Sequence, residues 1–159
     1  MDQYNLDTEW NLWYHSIVNN DWSKQSYQKL MTIRNLFDYQ LLKDTFKQNH
    51  FQNGMFFVMK RDIFPTWEDP RNRNGCFLSF KVSSSNLMEE WNELFFRILT
   101  NQALTDSHEN INGVSISPKK EFNIVKLWFS TKEPSNQEKF KEFGEYFQCS
   151  NSIFKEHNI

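Results

Sequence analysis

Glycine and proline are scarce, with four of each in 159 residues. That excludes collagen-like repeats and linker-rich architectures. It leaves one domain, long enough to bury a core. Cysteine is scarcer still. Cys76 and Cys149 alone build no disulfide framework, so a reducing compartment is expected. The sequence shows no charged-then-apolar leader and no apolar run of membrane-spanning length. The expectation is a soluble protein of the cytoplasm, or of a host cytoplasm if the source is viral. Basic charge is not in excess either: 18 Lys and Arg face 20 Asp and Glu, for a net charge of -2. A surface that coats nucleic acid broadly is therefore excluded, and any RNA contact must be a local pocket. His15, His50, His108 and His157 are scattered without metal-ligand spacing. No glycine-rich phosphate loop occurs, and Ser83, Ser84 and Ser85 read as the approach to a helix cap. An enzyme is not expected, nor a metal or cofactor.

Aromatics are what the chain has in quantity. Six Trp, five Tyr and sixteen Phe must supply much of the core. Asn and Lys are also abundant, as in an AT-rich genome of a virus or protist. Residues 1–8 are polar and expected to fray, leaving 9–159 as the domain. Trp10 to Tyr14 alternates as a strand, with Trp10, Leu12 and Tyr14 on one face and Asn11 and Trp13 on the other. Residues 19–26 read as a loop and 28–34 as a strand. Asp38 is placed as the N-cap of a helix whose Tyr39, Leu42 and Phe46 form one apolar stripe. Met55 to Met59 and Phe77 to Val82 are strand-like.

Asn86 and Glu89 have capping-box spacing before a helix patterned by Leu87, Met88, Trp91, Leu94, Phe95, Ile98 and Leu99. Residues 101–112 read as a loop. The segments 114–117 and 124–128 form a hairpin around Pro118, Lys119 and Lys120. Ser135 and Glu138 open a third helix, with Phe140, Phe143 and Phe147 on one face, and 153–157 returns as a strand. The sum is an α+β domain: about seven strands, antiparallel, with three one-sided helices on one face of the sheet and the other face free for a ligand.

The segment Pro65-Thr66-Trp67-Glu68-Asp69 carries the sharpest chemistry. It sets a large π-surface beside a carboxylate in a turn entered through proline. An aromatic face stacks on a base and attracts a cation more strongly than a neutral ring. The neighbouring carboxylate can accept two hydrogen bonds from adjacent N–H groups on a base edge. Guanine presents such a pair, and a methylated guanine is cationic.

In its wider setting this motif resembles the eukaryotic translation initiation factor 4E family, which binds messenger-RNA caps. The landmarks are Trp10-Asn11-Leu12-Trp13, then Trp67-Glu68 with Asn72 and Gly75 behind, then Trp91 and Glu93. Gly113 follows, with Lys119 six residues later and Trp128 nine beyond that. The resemblance runs from about Trp10 to His157. It implies a curved antiparallel sheet of about seven or eight strands, three helices on its convex face and a cap in the concave palm.

The resemblance also implies roles. Trp67 would be one slice of an aromatic sandwich around 7-methylguanine; alone it could equally be a hydrophobic plug. Glu68 would read the guanine edge, as against being a solvated acid. For the second slice Tyr27 is favoured, by a one-residue loop shift, with Trp22 as the rival. Trp128 would pack beside the N7-methyl group, or serve only as sheet core. Lys119, with Lys120 adjoining, falls where the family binds cap phosphates. The next basic positions read Glu121 and Ile124 here, and Lys126 is displaced, so the phosphate site departs from the family.

The partner surface departs too. Lys43 and Asp44 stand near the family's helix-one Trp, beside Leu41 and Leu42, and Asn92 replaces an apolar contact while Glu93 is kept. Tyr39, Leu42, Lys43, Asn92 and Glu93 are the expected partner surface. Its partner would be a scaffold of the initiation factor 4G type or a rewired equivalent, bound by a monomer. Activator and repressor both remain open readings.

Overall fold

Alternating apolar side chains give the chain its strands, and the strands sort into one sheet. The computed structural model describes residues 4–157. The strands are β1 (Asn5–Ser16), β2 (Gln28–Asn35), β3 (Gly54–Lys60), β4 (Cys76–Ser83), β5 (Ile111–Pro118), β6 (Phe122–Phe129) and β7 (Ser152–Glu156). They form a seven-stranded sheet in the order β2-β1-β3-β5-β6-β4-β7, every pairing antiparallel. The helices are α1 (Leu36–Thr45), α2 (Gln48–Gln52), α3 (Leu87–Leu99) and α4 (Ser135–Lys139). The α+β class and the curved antiparallel sheet are as the sequence implies.

The two faces of the sheet differ in kind. Trp10, Leu12, Phe56, Val58, Leu78, Phe80, Val114, Ile116, Val125 and Leu127 point to one side and join α1 and α3 in the main core. Trp91, Leu94, Phe95 and Ile98 are the buried stripe of α3. Burying one such side chain is worth about 1.5–3 kcal/mol, so this helix-covered back carries most of the stability. The opposite side, the palm, holds a smaller cluster of Phe57, Met59, Ile63 and Trp128, with Trp13, Tyr27 and Met55 packed against it.

Several local expectations are corrected. The first strand starts at Asn5, so residues 5–8 are not frayed; Leu6 packs against the core and extends the alternation that includes Trp10. Residues 1–3 lie outside the described residues. Asn35, not Asp38, caps α1: its side chain accepts from the Asp38 N–H, and the Asp38 carboxylate accepts from Arg34 N–H at 2.8 Å. The Asn86–Glu89 box does not form. A short turn over Ser84–Asn86 precedes α3 instead, and the Asn86 amide donates to Glu145. Helix α2, with only Phe51 buried, was not foreseen because five residues carry no period.

The third expected helix stops at Lys139. Phe140 and Phe147 are still buried and Phe143 half-buried. Where the helix ends, the backbone turns extended and pairs with residues 103–105: the Lys139 carbonyl accepts from Thr105 N–H at 2.8 Å and Lys141 N–H donates to the Ala103 carbonyl at 2.9 Å. Further on, a turn at Gly144 (φ +64°) presents the N–H groups of Glu145 and Tyr146 to the buried Glu90 carboxylate, each at 3.1 Å. Buried polar groups need such partners, and this one takes them from backbone that a helix would have used.

Candidate functional site

The β1–β3–β5–β6–β4–β7 register fixes which side chains share the palm. One row across the sheet runs Met59, Gly113, Trp128, Phe77, Lys155. The next runs Trp13, Phe57, Ser115, Lys126, Ser79, Ile153. A third contains His15 with Met55, and Ser117 with Ile124. These rows floor a cavity of about 550 Å³ walled by Trp22 and Lys119. Gly113 lets β3 and β5 close up, because a Cβ there would collide with the Val58 carbonyl and the Met59 side chain.

Three ammonium groups converge on this basin: Lys119 from the hairpin tip, Lys126 from β6 and Lys155 from β7. Burial, and then the charges of Lys119 and Lys155, push the Lys126 ammonium down from its ordinary value. Its Nζ lies 4.5 Å from the centroid of the Phe77 ring, a cation–π contact. No carboxylate pairs with any of the three among the described residues. Like charges held together without a counter-charge are the electrostatic form of an anion site.

Trp128 is 7% exposed and donates from Nε1 to the Ser115 hydroxyl at 3.1 Å. It meets Phe57 and His157 edge-on. It is thus both palm core and basin wall. Its strand neighbours explain why: the residue two before it on the same face is Lys126.

The loop between β3 and β4 carries the motif. Trp67 is 44% exposed, and Glu68 is exposed beside it. Their loop is built around Asn72, which is fully buried. The Asn72 amide donates to the Phe64 and Thr66 carbonyls at 3.2 and 2.8 Å. Asn112 donates to the Asn72 side-chain oxygen at 2.9 Å, and His157 Nδ1 donates to its carbonyl at 2.7 Å. Asp69 accepts from the N–H groups of Phe64 and Arg71, at 3.1 and 2.9 Å. Gly75 closes the loop where a Cβ would be driven into the Phe129 carbonyl. At its start, Ile63 belongs to the palm cluster and Phe64 meets Trp13 and Tyr27 edge-on.

Tyr27 is half-buried, held edge-on by His15 at 4.8 Å and Phe64 at 5.1 Å. Burial, and then the Glu68 carboxylate, push its phenol up. The structure therefore brings Tyr27 and Glu68 within electrostatic reach, but among the described residues Tyr27 and Trp67 form no ring pair. Trp22, the rival, walls the basin and lies parallel to His15. Lys120 is exposed at the hairpin tip and does not line the basin.

On the helical back, Tyr39, Lys43, Asn92 and Glu93 line one groove of about 440 Å³ together with Phe96. The Tyr39 hydroxyl donates to the Asn92 carbonyl at 3.0 Å, and Glu93 is paired with Arg97 at 2.7 Å. Leu42 is buried and faces a neighbouring apolar pocket instead. The exposed apolar residues of α1 are Phe37 and Leu41.

Sequence reasoning missed Lys155, Phe77, Phe57 and the placement of Lys126. The signal was present as alternation, since Lys126 and Trp128 share a face, as do Ile153 and Lys155. What no strand pattern tells is that β4 sits between β6 and β7 and brings those faces together.

A family model described as eukaryotic initiation factor 4E matches residues 5–158. The chain belongs to this family. It is 27% identical over 139 residues to eukaryotic translation initiation factor 4E of Candida glabrata, a match covering 81% of this chain and 65% of the relative. It is 32% identical over 65 residues to the initiation factor 4E homolog of Acanthamoeba polyphaga mimivirus, covering 39% of this chain and 24% of that protein. The matches thus span less than two thirds of either relative.

Two solved structures show the initiation factor 4E fold in this chain. One is C. elegans eIF4E-3 with the 4E-binding protein Mextli and a cap analog, with TM-score 0.72 and 23% identity over 80% of this chain and 75% of that one. The other is a schistosome eIF4E with m7GpppA and 4E-BP, with TM-score 0.73 and 20% identity over 83% and 74%.

Proposed function

We propose that this protein binds the 7-methylguanosine cap of messenger RNA in the palm and brings it to the translation machinery. It acts as a binding protein rather than an enzyme. The observation that carries the reading is the basin itself. Trp128, Phe57 and Phe77 offer aromatic surface beside three lysines with no carboxylate partner, and the exposed Trp67–Glu68 pair stands on the adjoining loop. A cap combines a cationic base, an edge with two donors and a triphosphate, and each finds a matching group here.

Trp67 stacks on the methylated base, with Tyr27 as the opposite ring. Stacking of this kind is worth about 1–3 kcal/mol per base. Glu68 accepts from the guanine edge, and Trp128 faces the N7-methyl group. Lys119, Lys126 and Lys155 hold the phosphates. Lysines act as point charges rather than forks, so affinity should depend steeply on salt. The site of action is the cytoplasm.

The test is tryptophan fluorescence titration with 7-methylguanosine triphosphate against plain guanosine triphosphate. Preferential quenching by the methylated ligand is expected. Equal responses would show a phosphate site without base recognition.

A second reading, a cap-binding repressor with altered scaffold contacts, is favoured by the groove on the back. There Lys43 and Glu93 line the same groove, and the Tyr39 hydroxyl is committed to Asn92. The scaffold partner is then a rewired equivalent of the initiation factor 4G type. Adding the protein to a cap-dependent translation extract separates the readings by the sign of the effect.

A further inference from the structure

Lys126 sits lower among the strands than the other two basin lysines. Lys119 and Lys155 are exposed, whereas Lys126 is half-buried. Its row across the sheet sets it between Ser115 of β5 and Ser79 of β4. Its Nζ lies 4.5 Å from the centroid of the Phe77 ring, and the side chain borders the cavity of about 550 Å³. No carboxylate pairs with it among the described residues. Burial, and then the charges of Lys119 and Lys155, make this amine give up its proton more readily than an ordinary lysine. The free base is a nucleophile, and desolvation beside other cations is a known way to activate one. The two neighbouring charges draw anions to the place where its lone pair stands.

We propose that Lys126 is an acyl-acceptor site for small acyl phosphates, and that its acylation switches off the phosphate side of the palm. The inference rests on the cap reading of the basin and adds a covalent modification to it. The phosphate of the acyl donor sits in the field of Lys119 and Lys155. The Lys126 nitrogen attacks the carbonyl carbon, a C–N amide bond forms, and the C–O bond to phosphate breaks. Inorganic phosphate leaves with the bonding electron pair and takes up the proton that the amine releases. The amide is neutral, so the basin loses one of its cations.

Lys60 shows that burial alone does not make such a site. Burial pushes its ammonium down as well. Yet its Nζ donates to the Glu109 carbonyl at 2.9 Å, and the groove beside it is lined by Asp7, Glu9 and Asp62 as well as Arg61 and Arg71. There the amine lacks an unopposed cationic field to gather the donor.

The experiment treats the full chain with acetyl phosphate, or with the N-hydroxysuccinimide ester of acetic acid as a neutral acetyl donor. Peptide mass spectrometry then reads the acetylation of each lysine. With acetyl phosphate Lys126 should be labelled first, and the ratio of Lys126 to Lys60 labelling should be about tenfold higher than with the neutral ester. Inorganic triphosphate should protect Lys126 and leave Lys60 unprotected. Treated protein should bind 7-methylguanosine triphosphate about tenfold more weakly than untreated protein. Lys126→Arg keeps the charge without the nucleophile, and treatment should leave its own affinity in place. Equal ratios with the two donors, labelling of Lys120 ahead of Lys126, or loss of binding by treated Lys126→Arg would each overturn the inference while leaving the cap reading standing. Failure of the untreated protein to prefer 7-methylguanosine triphosphate over guanosine triphosphate overturns the cap reading instead, and is read without any acyl donor.

Discussion

His157 and Asn72 meet at 2.7 Å, the imidazole Nδ1 donating to the backbone carbonyl. The residue just past β7 thereby holds the loop that displays Trp67. The ring also lies edge-on to Trp128, with centroids 5.3 Å apart. Its Nε2 is buried and has no hydrogen-bond partner among the described residues. Burial pushes the imidazole below its ordinary value of 6.5, opposed by the bond to Asn72 and assisted by Lys126 and Lys132.

The sign of the pH dependence follows. A folded-state value below the unfolded one means that the unfolded chain binds the proton more readily. The contribution is complete above about pH 6.5 and is lost as pH falls through the lowered folded value. Thermal unfolding between neutral pH and pH 5 should show wild type losing stability more steeply than His157→Gln. Parallel curves would mean that the imidazole stays neutral in both states or is solvated.

Asn72 gathers the loop from within. Replacing it with alanine removes one hydrogen bond each from the Phe64 and Thr66 carbonyls and the Asn112 amide, which keep only their bonds to Thr66 N–H, Asp69 N–H and the Arg71 carbonyl. Each hydrogen bond lost costs about 0.5–1.5 kcal/mol. Asn72→Ala should lower unfolding stability in urea by about 2–4 kcal/mol and weaken ligand binding more than a surface change of equal size. Unchanged urea midpoints would show that water replaces the amide without cost.

Lys126 should separate stability from function. Its charge is desolvated and repelled by Lys119 and Lys155. Lys126→Met keeps the stem over Phe77 and removes both penalties. The free protein should be as stable as wild type or more stable by up to about 1 kcal/mol. Binding should weaken, and the slope of log affinity against log salt should fall by about one. A slope equal to wild type would place the phosphates away from β6.

Glu68 can be tested without any ligand. Its carboxylate contributes to raising the Tyr27 phenol. Glu68→Gln should therefore bring the tyrosinate absorbance transition of Tyr27 to lower pH, with Tyr27→Phe identifying which transition moves. The same change should abolish discrimination between guanine and adenine caps. If the transition does not move, the two side chains are not neighbours in solution.

The fold was legible where a period was long. Trp10 to Tyr14, Met55 to Met59 and the α3 stripe were placed correctly because burial imposes alternation or a 3.6-residue repeat. Errors fell where tertiary contacts override local signals. Phe140, Phe143 and Phe147 have helical spacing and are wholly or partly buried, but the backbone at 139–141 pairs with 103–105, and Glu90 takes the N–H groups of Glu145 and Tyr146. Asn86 has a capping sequence, but its amide turns to Glu145. The aromatic and acidic parts of the site were visible as a motif. Its cationic part was half visible, since Lys126 and Lys155 join only through strand order, and order is not written in either strand.

Strand β7 pairs with β4 alone and ends the sheet. Such a boundary strand opens more readily than an interior one. Yet Lys155 lines the basin proposed to hold the cap, and the adjoining His157 steadies the Trp67 loop. Occupancy of the palm should then slow amide exchange at Ser152–Glu156, so that the rim of the sheet reports what happens at its centre.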